Sequence, residues 1–307
     1  MLKIALESLK EKNGKTHEEY QYLKLIEHII KYGNMELGRN GNALTVFGSA
    51  MHFDLQNNTV PILTTKKVAW KTCLRELLWF IKGSTDNALL QSKNVKIWNE
   101  NASRDFLDSR GLTNLEENDL GPVYGHQWRH FNAEYESCKT DYTDKGIDQL
   151  QYIIDILKNP DITIRNSRRL IMSAWNPCQI DEMALPPCHI LAQFNVTQNK
   201  YLSCSMYQRS GDVGLGVPFN IASYSILTHL IAHHCNLEAS EFIYYLGNCH
   251  IYDDHIEALQ GEILREPFRF PTIEIDSQFD NINDYTEENF SLSNYKCHES
   301  ITMQIRK

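Results

Sequence analysis

Residues 185–209 constrain the fold more than any other stretch of the chain. In Leu185-Pro186-Pro187-Cys188-His189 two prolines fix the local backbone directly ahead of a strand-like run, Ile190 to Thr197. The turn Gln198-Asn199-Lys200 joins that run to a second, Tyr201 to Gln208, so the spacing predicts a hairpin. Counted from the turn, Cys188 and Arg209 stand at similar distances along opposite arms. Pairing of the arms brings a thiol and a guanidinium to the same sheet end. A cation there favours the thiolate, the nucleophilic form of cysteine. A free cysteine is more often a small buried hydrophobe, and a strand-end arginine is more often solvated. Spacing alone leaves those readings open.

Helical and strand periods organise the rest. Thr16 and Glu19 have capping-box spacing, and Tyr22, Leu23, Ile26, Ile29 and Ile30 then recur at helical spacing up to Gly33. A second helix is predicted over 68–81, with Cys73, Leu74, Leu77, Leu78 and Ile81 on one face and Gly83 closing it. A third spans 147–157 and stops at Asn159-Pro160. Leu170 to Trp175 and Phe242 to Leu246 read as strands, and the apolar run Ile221 to Ile231 as a buried helix. Elements alternate irregularly, with a hairpin among them and no linker. The expected fold class is α/β (α+β type): a single domain over residues 16–307 with a mixed β-sheet and flanking helices, preceded by a flexible extension, 1–15.

Composition excludes several functions. The formal net charge of −9 argues against a bulk electrostatic nucleic-acid binder, so an anionic ligand must be held by a local arginine cluster. Eight cysteines without a C-x-x-C pair suit free thiols in a reducing compartment. Residues 1–15 are too charged for a signal peptide, and no apolar run approaches the roughly 20 residues of a membrane span. The expectation is a cytoplasmic protein with no membrane association. His229 and His233 stand at i, i+4 beside His234 and Cys235, a spacing that can bind zinc, but the fuller H-E-x-x-H pattern is absent and no metal is expected.

Further motifs follow in order along the chain. They are Arg75-Glu76-Leu77-Leu78-Trp79-Phe80, Lys96-Ile97-Trp98-Asn99-Glu100-Asn101, Tyr124-Gly125-His126-Gln127-Trp128-Arg129 and Ser167-Arg168-Arg169-Leu170. After the cysteine come Gln208-Arg209-Ser210-Gly211-Asp212, Pro218-Phe219-Asn220-Ile221-Ala222-Ser223-Tyr224 and Gly247-Asn248-Cys249-His250-Ile251-Tyr252. Together with the Cys188 motif they resemble thymidylate synthases, the folate-dependent enzymes that methylate dUMP, over about Tyr20 to Lys307.

The resemblance implies roles residue by residue. Cys188 stands where the family's nucleophile attacks C6 of the uracil. Arg209 and Ser210 match phosphate-binding residues, while Asp212 and Asn220 match residues that read the uracil and support the folate ring. His250 and Tyr252 match residues holding the sugar 3′-hydroxyl. Glu76 matches the glutamate that organises proton-carrying waters, Tyr124 the tyrosine associated with removal of the C5 proton, and His189 joins that network. Arg39 resembles the start of a mobile phosphate loop. Arg168 and Arg169 match a pair that reaches across a homodimer interface to the partner's phosphate, the sheet packing at that interface. Lys66, Ile97, Trp98, Asn101, Asp212, Leu215, Gly216 and Phe219 match the folate side, with 5,10-methylenetetrahydrofolate as co-substrate. No nucleic acid is required.

Several residues depart from the family pattern. Asn99 replaces a common aspartate, Asn248 stands for the usual aspartate before the His-Ile-Tyr segment, and Asp254 for an asparagine. The tail ends in Ile305-Arg306-Lys307 where small apolar residues are usual, so closure over the folate puts charge near an apolar ligand. Two rivals remain. A pyrimidine-nucleotide hydroxymethylase of the same fold is disfavoured by Asn220, since cytosine-specific relatives carry aspartate there, and by Trp98, which helps exclude water. A catalytically dead nucleotide-binding dimer is disfavoured by the retained Cys188, Glu76 and Tyr124.

Overall fold

The hairpin around residue 198 forms. Gln198 and Asn199 take left-handed backbone angles, φ 52° and 54°, as a turn matching the strand twist requires. Lys200 N–H closes it on Thr197 O at 3.1 Å. The structure, a computed structural model, describes residues 2–306; Lys307, part of the charged tail, lies outside them.

In chain order the first elements are α1 (Leu2–Leu9), β1 (Glu11–Lys12), β2 (Lys15–Thr16), α2 (Tyr20–Tyr32), β3 (Asn34–Gly38) and β4 (Gly41–Asp54). Six helices follow: α3 (Trp70–Ile81), α4 (Asn87–Ser92), α5 (Arg104–Ser109), α6 (Tyr124–His130), α7 (Gln149–Leu157) and α8 (Ile162–Arg165). Then come β5 (Ile171–Ser173), β6 (His189–Thr197), β7 (Tyr201–Asp212), α9 (Gly216–His234) and β8 (Glu238–Tyr252). Last are α10 (Ile256–Glu262), β9 (Thr272–Ile275) and β10 (Phe290–Ser293).

The main sheet has six strands in the order β3-β4-β8-β7-β6-β5. β7 and β8 run parallel and every other neighbour pair antiparallel, giving the expected mixed sheet. A parallel pair needs a long crossover, and α9 supplies it. Met172, Ala192, Met206, Tyr244 and Met51 lie opposite one another across five strands, all buried. Against that face packs α9, buried on nearly all sides through Ile221, Tyr224, Leu227, Leu230 and Ile231, and α3 packs on α9 in turn. The adjacent row, Ser173, Leu191, Tyr207, Tyr245 and Ala50, points the other way because strand side chains alternate. On that face Leu191 and Tyr207 remain 37% and 38% exposed.

Differences from the sequence reading have local causes. The third helix starts at Gln149 rather than 147 because Asp148 caps it, accepting from Gln151 N–H, while Ile147 bridges to Phe131. The strand expected over 242–246 runs from Glu238 to Tyr252 and absorbs the Asn248–Tyr252 motif. No period announces β3, whose five residues are all exposed. The segment before α2 carries regular structure. It forms α1 and the β1–β2 hairpin, with Leu6 buried and the buried Lys10 ammonium bonded to Glu7 at 2.9 Å and Glu18 at 2.8 Å.

The Thr16–Glu19 capping box does not form, and α2 begins without a side-chain cap. Thr16 lies in β2. The buried Glu19 carboxylate instead accepts from the N–H groups of Thr64 at 2.9 Å and Thr65 at 2.7 Å, and from both hydroxyls at 2.6 Å. Several buried donors outweigh one cap. Glu19→Ala leaves two buried N–H groups without an acceptor, at about 1–3 kcal/mol each. We expect a loss of about 2 kcal/mol or more in urea unfolding, against about 0.5 kcal/mol at most for Thr16→Ala.

Candidate active site

β6 and β7 build the centre of the site. His189 pairs with Gln208, the register shifts between His189 and Leu191, and Arg209 N–H donates to Cys188 O at 2.8 Å. The expected pairing of Cys188 with Arg209 therefore holds. The guanidinium is anchored by the prolines, with Nε donating to Pro187 O at 2.7 Å and Nη2 to Pro186 O at 3.0 Å. That leaves Nη2 3.8 Å from Cys188 Sγ, and the guanidinium lies over the Trp175 ring at 5.7 Å.

Burial pushes the Cys188 thiol above its ordinary pKa, against the opposing pull of Arg209 and Arg39. The expected cation is present, but burial wins before any ligand enters.

The helices supply the neighbouring wall. Cys188 N–H donates to Tyr124 Oη at 2.7 Å, so the phenol oxygen is an acceptor and its own proton is left for another partner. Tyr124 stacks on His189 at 4.1 Å, and His189 Nδ1 lies 2.8 Å from Tyr224 Oη. Burial holds the His189 pKa down to about 3, so the ring is neutral at pH 7. The same cause acts oppositely on an acid. Burial raises Glu76 to about 7, countered only in part by the bond that Trp98 Nε1–H donates to it at 2.7 Å. Glu76 can thus give or take a proton near neutrality.

β3, β4, β7 and β8 frame a cavity of about 290 Å³ lined by Arg39, Asn40, Thr45, Ser210, His250 and Tyr252, among others. Arg39 occupies the two-residue β3–β4 turn, a tight hairpin rather than a long loop, with its Nε donating to Asn40 Oδ1 at 2.9 Å. His250 Nδ1 lies 3.0 Å from Asn248 Oδ1, so the departing amide orients the ring. On the other side of Arg39 a cleft of about 400 Å³ is lined by Lys96, Ile97, Asn101, Leu185, Ile305 and Arg306, among others.

Asp212 Oδ1 accepts from Gly214 N–H at 2.9 Å and Leu215 N–H at 3.3 Å, fixing the entry to α9. Gly216 begins that helix. Phe219 and Asn220 sit in its first turns, half-buried, with Phe219 against the core.

Two further groups lie away from Cys188. Lys66 is buried, and its ammonium turns inward to Tyr22 Oη at 2.8 Å, Gly214 O at 2.6 Å and Glu262 at 3.1 Å. Arg168 and Arg169 are exposed in the turn before β5, where Leu170 O accepts from Phe194 N–H. Phe194 is six residues along β6 from Cys188, roughly 20 Å at about 3.4 Å per residue. They do not reach the chain's own thiol.

His229 and His233 bond the carbonyls of Thr59 and Ser277, at 2.8 and 2.9 Å. Tyr224 and Gln208 stand in the quoted motifs without an assigned role, and Tyr244, whose hydroxyl donates to Gln208 Oε1 at 2.6 Å, stands in none. Gln208, a polar residue on the inward face of an apolar strand, was the available signal for that pair.

The arrangement defines a class: α/β proteins in which a half-buried cysteine sits beside a cation at the end of a mixed sheet. Comparisons then narrow it. The sequence model of the family described as Thymidylate synthase matches residues 20–307. The chain is 52% identical to the Homo sapiens thymidylate synthase over 291 residues, covering 94% of this chain and 91% of that one. To the Ascaris suum thymidylate synthase it is 49% identical over 289 residues, 94% and 97% of the two chains. To the bifunctional dihydrofolate reductase-thymidylate synthase of Plasmodium berghei it is 52% identical over 292 residues, 95% of this chain but 49% of that protein, so it spans about half of that relative. The chain belongs to the thymidylate synthase family.

Electrostatics at Cys188 are directly testable. Arg209 lowers the thiol pKa, so Arg209→Gln should raise it and reduce the thiolate fraction at fixed pH. Iodoacetamide labelling of Cys188 between pH 7 and 10, followed by mass spectrometry, should show its titration midpoint displaced upward. An unmoved midpoint would mean that the guanidinium does not reach the sulfur electrostatically.

Proposed function

We propose that the chain is a homodimeric thymidylate synthase, converting dUMP to dTMP with 5,10-methylenetetrahydrofolate as donor of one carbon and a hydride. The observation that carries this reading is Cys188 Sγ held 3.8 Å from Arg209 Nη2 beside the cavity that Ser210, His250 and Tyr252 line. A phosphate near Arg209, Ser210 and Arg39 receives charge-assisted bonds in an otherwise acidic protein. His250 and Tyr252 hold the sugar, and Asn220 reads the O4 and N3–H edge, because an amide both donates and accepts.

Cys188 attacks C6 as the thiolate. The S–C6 bond forms as the C5=C6 electron pair moves toward C5 and O4, making C5 nucleophilic. Glu76, with its pKa near 7, manages the proton at O4, and Tyr124 acts on the C5 proton through water. The folate supplies the one-carbon unit and the hydride. Ile97, Leu185 and Ile305 offer it an apolar wall, with Lys96 and Asn101 as polar partners.

A second copy has two supports. The sheet face carrying Leu191, Tyr207 and the 41%-exposed Ile171 has apolar side chains open to contact, and Arg168 and Arg169 lie far from their own Cys188. Covering this face with the same face of a partner lets those arginines serve the partner's phosphate.

Tritium release from 5-tritiated dUMP together with dihydrofolate formation tests the reaction. Wild type should give both signals, and Cys188→Ala should lose turnover by at least about 10³-fold while still binding dUMP. Tritium release without dihydrofolate means a hydroxymethylase, and neither signal means a dead fold.

Mixing Cys188→Ala chains with Arg168→Ala/Arg169→Ala chains should restore activity, since each heterodimer then holds one intact site. Heterodimers that form yet stay inactive would exclude the shared site.

A further inference from the structure

Three charged residues outside the reaction chemistry converge where the tail crosses the cleft. Arg306 Nε donates to Asp254 Oδ1 at 3.1 Å, and Nη2 lies 3.0 Å from both Asp253 Oδ1 and Asp254 Oδ1. The guanidinium stands 6.0 Å from the centre of the Tyr252 ring, and Nη1 is 3.4 Å from where a side chain at Gly41 would begin. Two residues earlier, Gln304 O lies 2.7 Å from His255 Nε2. Between these two ties Ile305 lines the folate-side cleft beside Ile97 and Leu185.

Burial pushes the Asp254 carboxyl up, and Arg306 with His255 outweighs it, leaving the group below its ordinary range. Arg306 places one cation between two carboxylates, so its ion pairs offset part of their mutual repulsion.

We infer that Arg306 is a positioning residue: its pairing with Asp253 and Asp254 latches the C-terminal tail across the cleft, setting Ile305 against the folate and tying that wall to the strand end that bears His250 and Tyr252. The latch binds the tail to the protein rather than to the ligand, so it acts before folate arrives. Its strength is electrostatic at a partly exposed site and falls with salt. The consequence for the reaction rests on the proposed synthase reading; the latch itself does not.

Hydrogen exchange of residues 301–306 in the intact, ligand-free protein reads the latch without catalysis. Exposed ion pairs contribute about 0.2–1 kcal/mol each. Arg306→Gln should therefore speed exchange there by about threefold to tenfold, with Asp253→Asn/Asp254→Asn doing the same. Combining all three changes should add nothing further, and Arg306→Lys should recover part of the protection. Raising salt from about 50 to 500 mM should speed the wild-type tail and leave Arg306→Gln unmoved.

In turnover the folate KM should rise about fivefold in Arg306→Gln, with the KM for dUMP changed less than twofold. Unaltered exchange in Arg306→Gln, or additive effects of the two sets, would overturn the latch. Faster exchange with an unchanged folate KM would overturn its role in the cleft. A wild-type protein that made no dTMP would sink the synthase reading while leaving the exchange experiment decisive.

Discussion

The guanidinium of Arg209 is committed to the protein on one side and open on the other. Its bonds to the carbonyls of Pro186 and Pro187 exist because the two prolines hold those oxygens outward and because β6 and β7 pair in a register that ends at Cys188. The same pairing puts Arg209 N–H on Cys188 O. Shift that register by one residue and the side chains reverse faces: the thiol leaves the cation, Ser210 leaves the cavity, and Met206 leaves the core. Core packing and chemistry therefore depend on one hairpin.

A single physical cause tunes three groups beside it in useful directions. Withdrawal from water penalises charge, so it raises Glu76 to about 7, lowers His189 to about 3 and lifts the Cys188 thiol. The first makes a proton carrier suited to neutral pH and the second keeps a neutral ring on Tyr224. The third keeps the sulfur protonated until something offsets the burial. The inward-facing Lys66 belongs to the same economy of charge: its partner Glu262 is fully buried, and the pair braces the loop at Gly214 from behind.

Much of the fold was legible because its elements have regular periods. The face of α3, the hairpin at 198 and the apolar run of α9 follow from spacing, and the Tyr124 and Cys188 motifs meet through the bond from Cys188 N–H to the phenol oxygen. What stayed hidden shares a feature: the partner is remote in sequence. Glu19 looks like a capping residue until Thr64 and Thr65 arrive from 45 and 46 residues away. The partner of Lys66, Glu262, lies 196 residues further along the chain. The exposed β3 has no period because none of its five residues is buried, and it forms as the hairpin partner of β4.

By itself the sequence determined which residues could do chemistry and the local geometry of the turns and helices that carry them, since propensity, proline restriction and side-chain alternation act within a few residues. Tertiary structure alone decided the protonation tendencies, the fate of each charge and the meaning of the unusual tail. Burial and ion pairing depend on what the folded chain brings alongside. Asp254 and Arg306 stand 52 residues apart and acquire a shared purpose only once folding puts them 3 Å from each other.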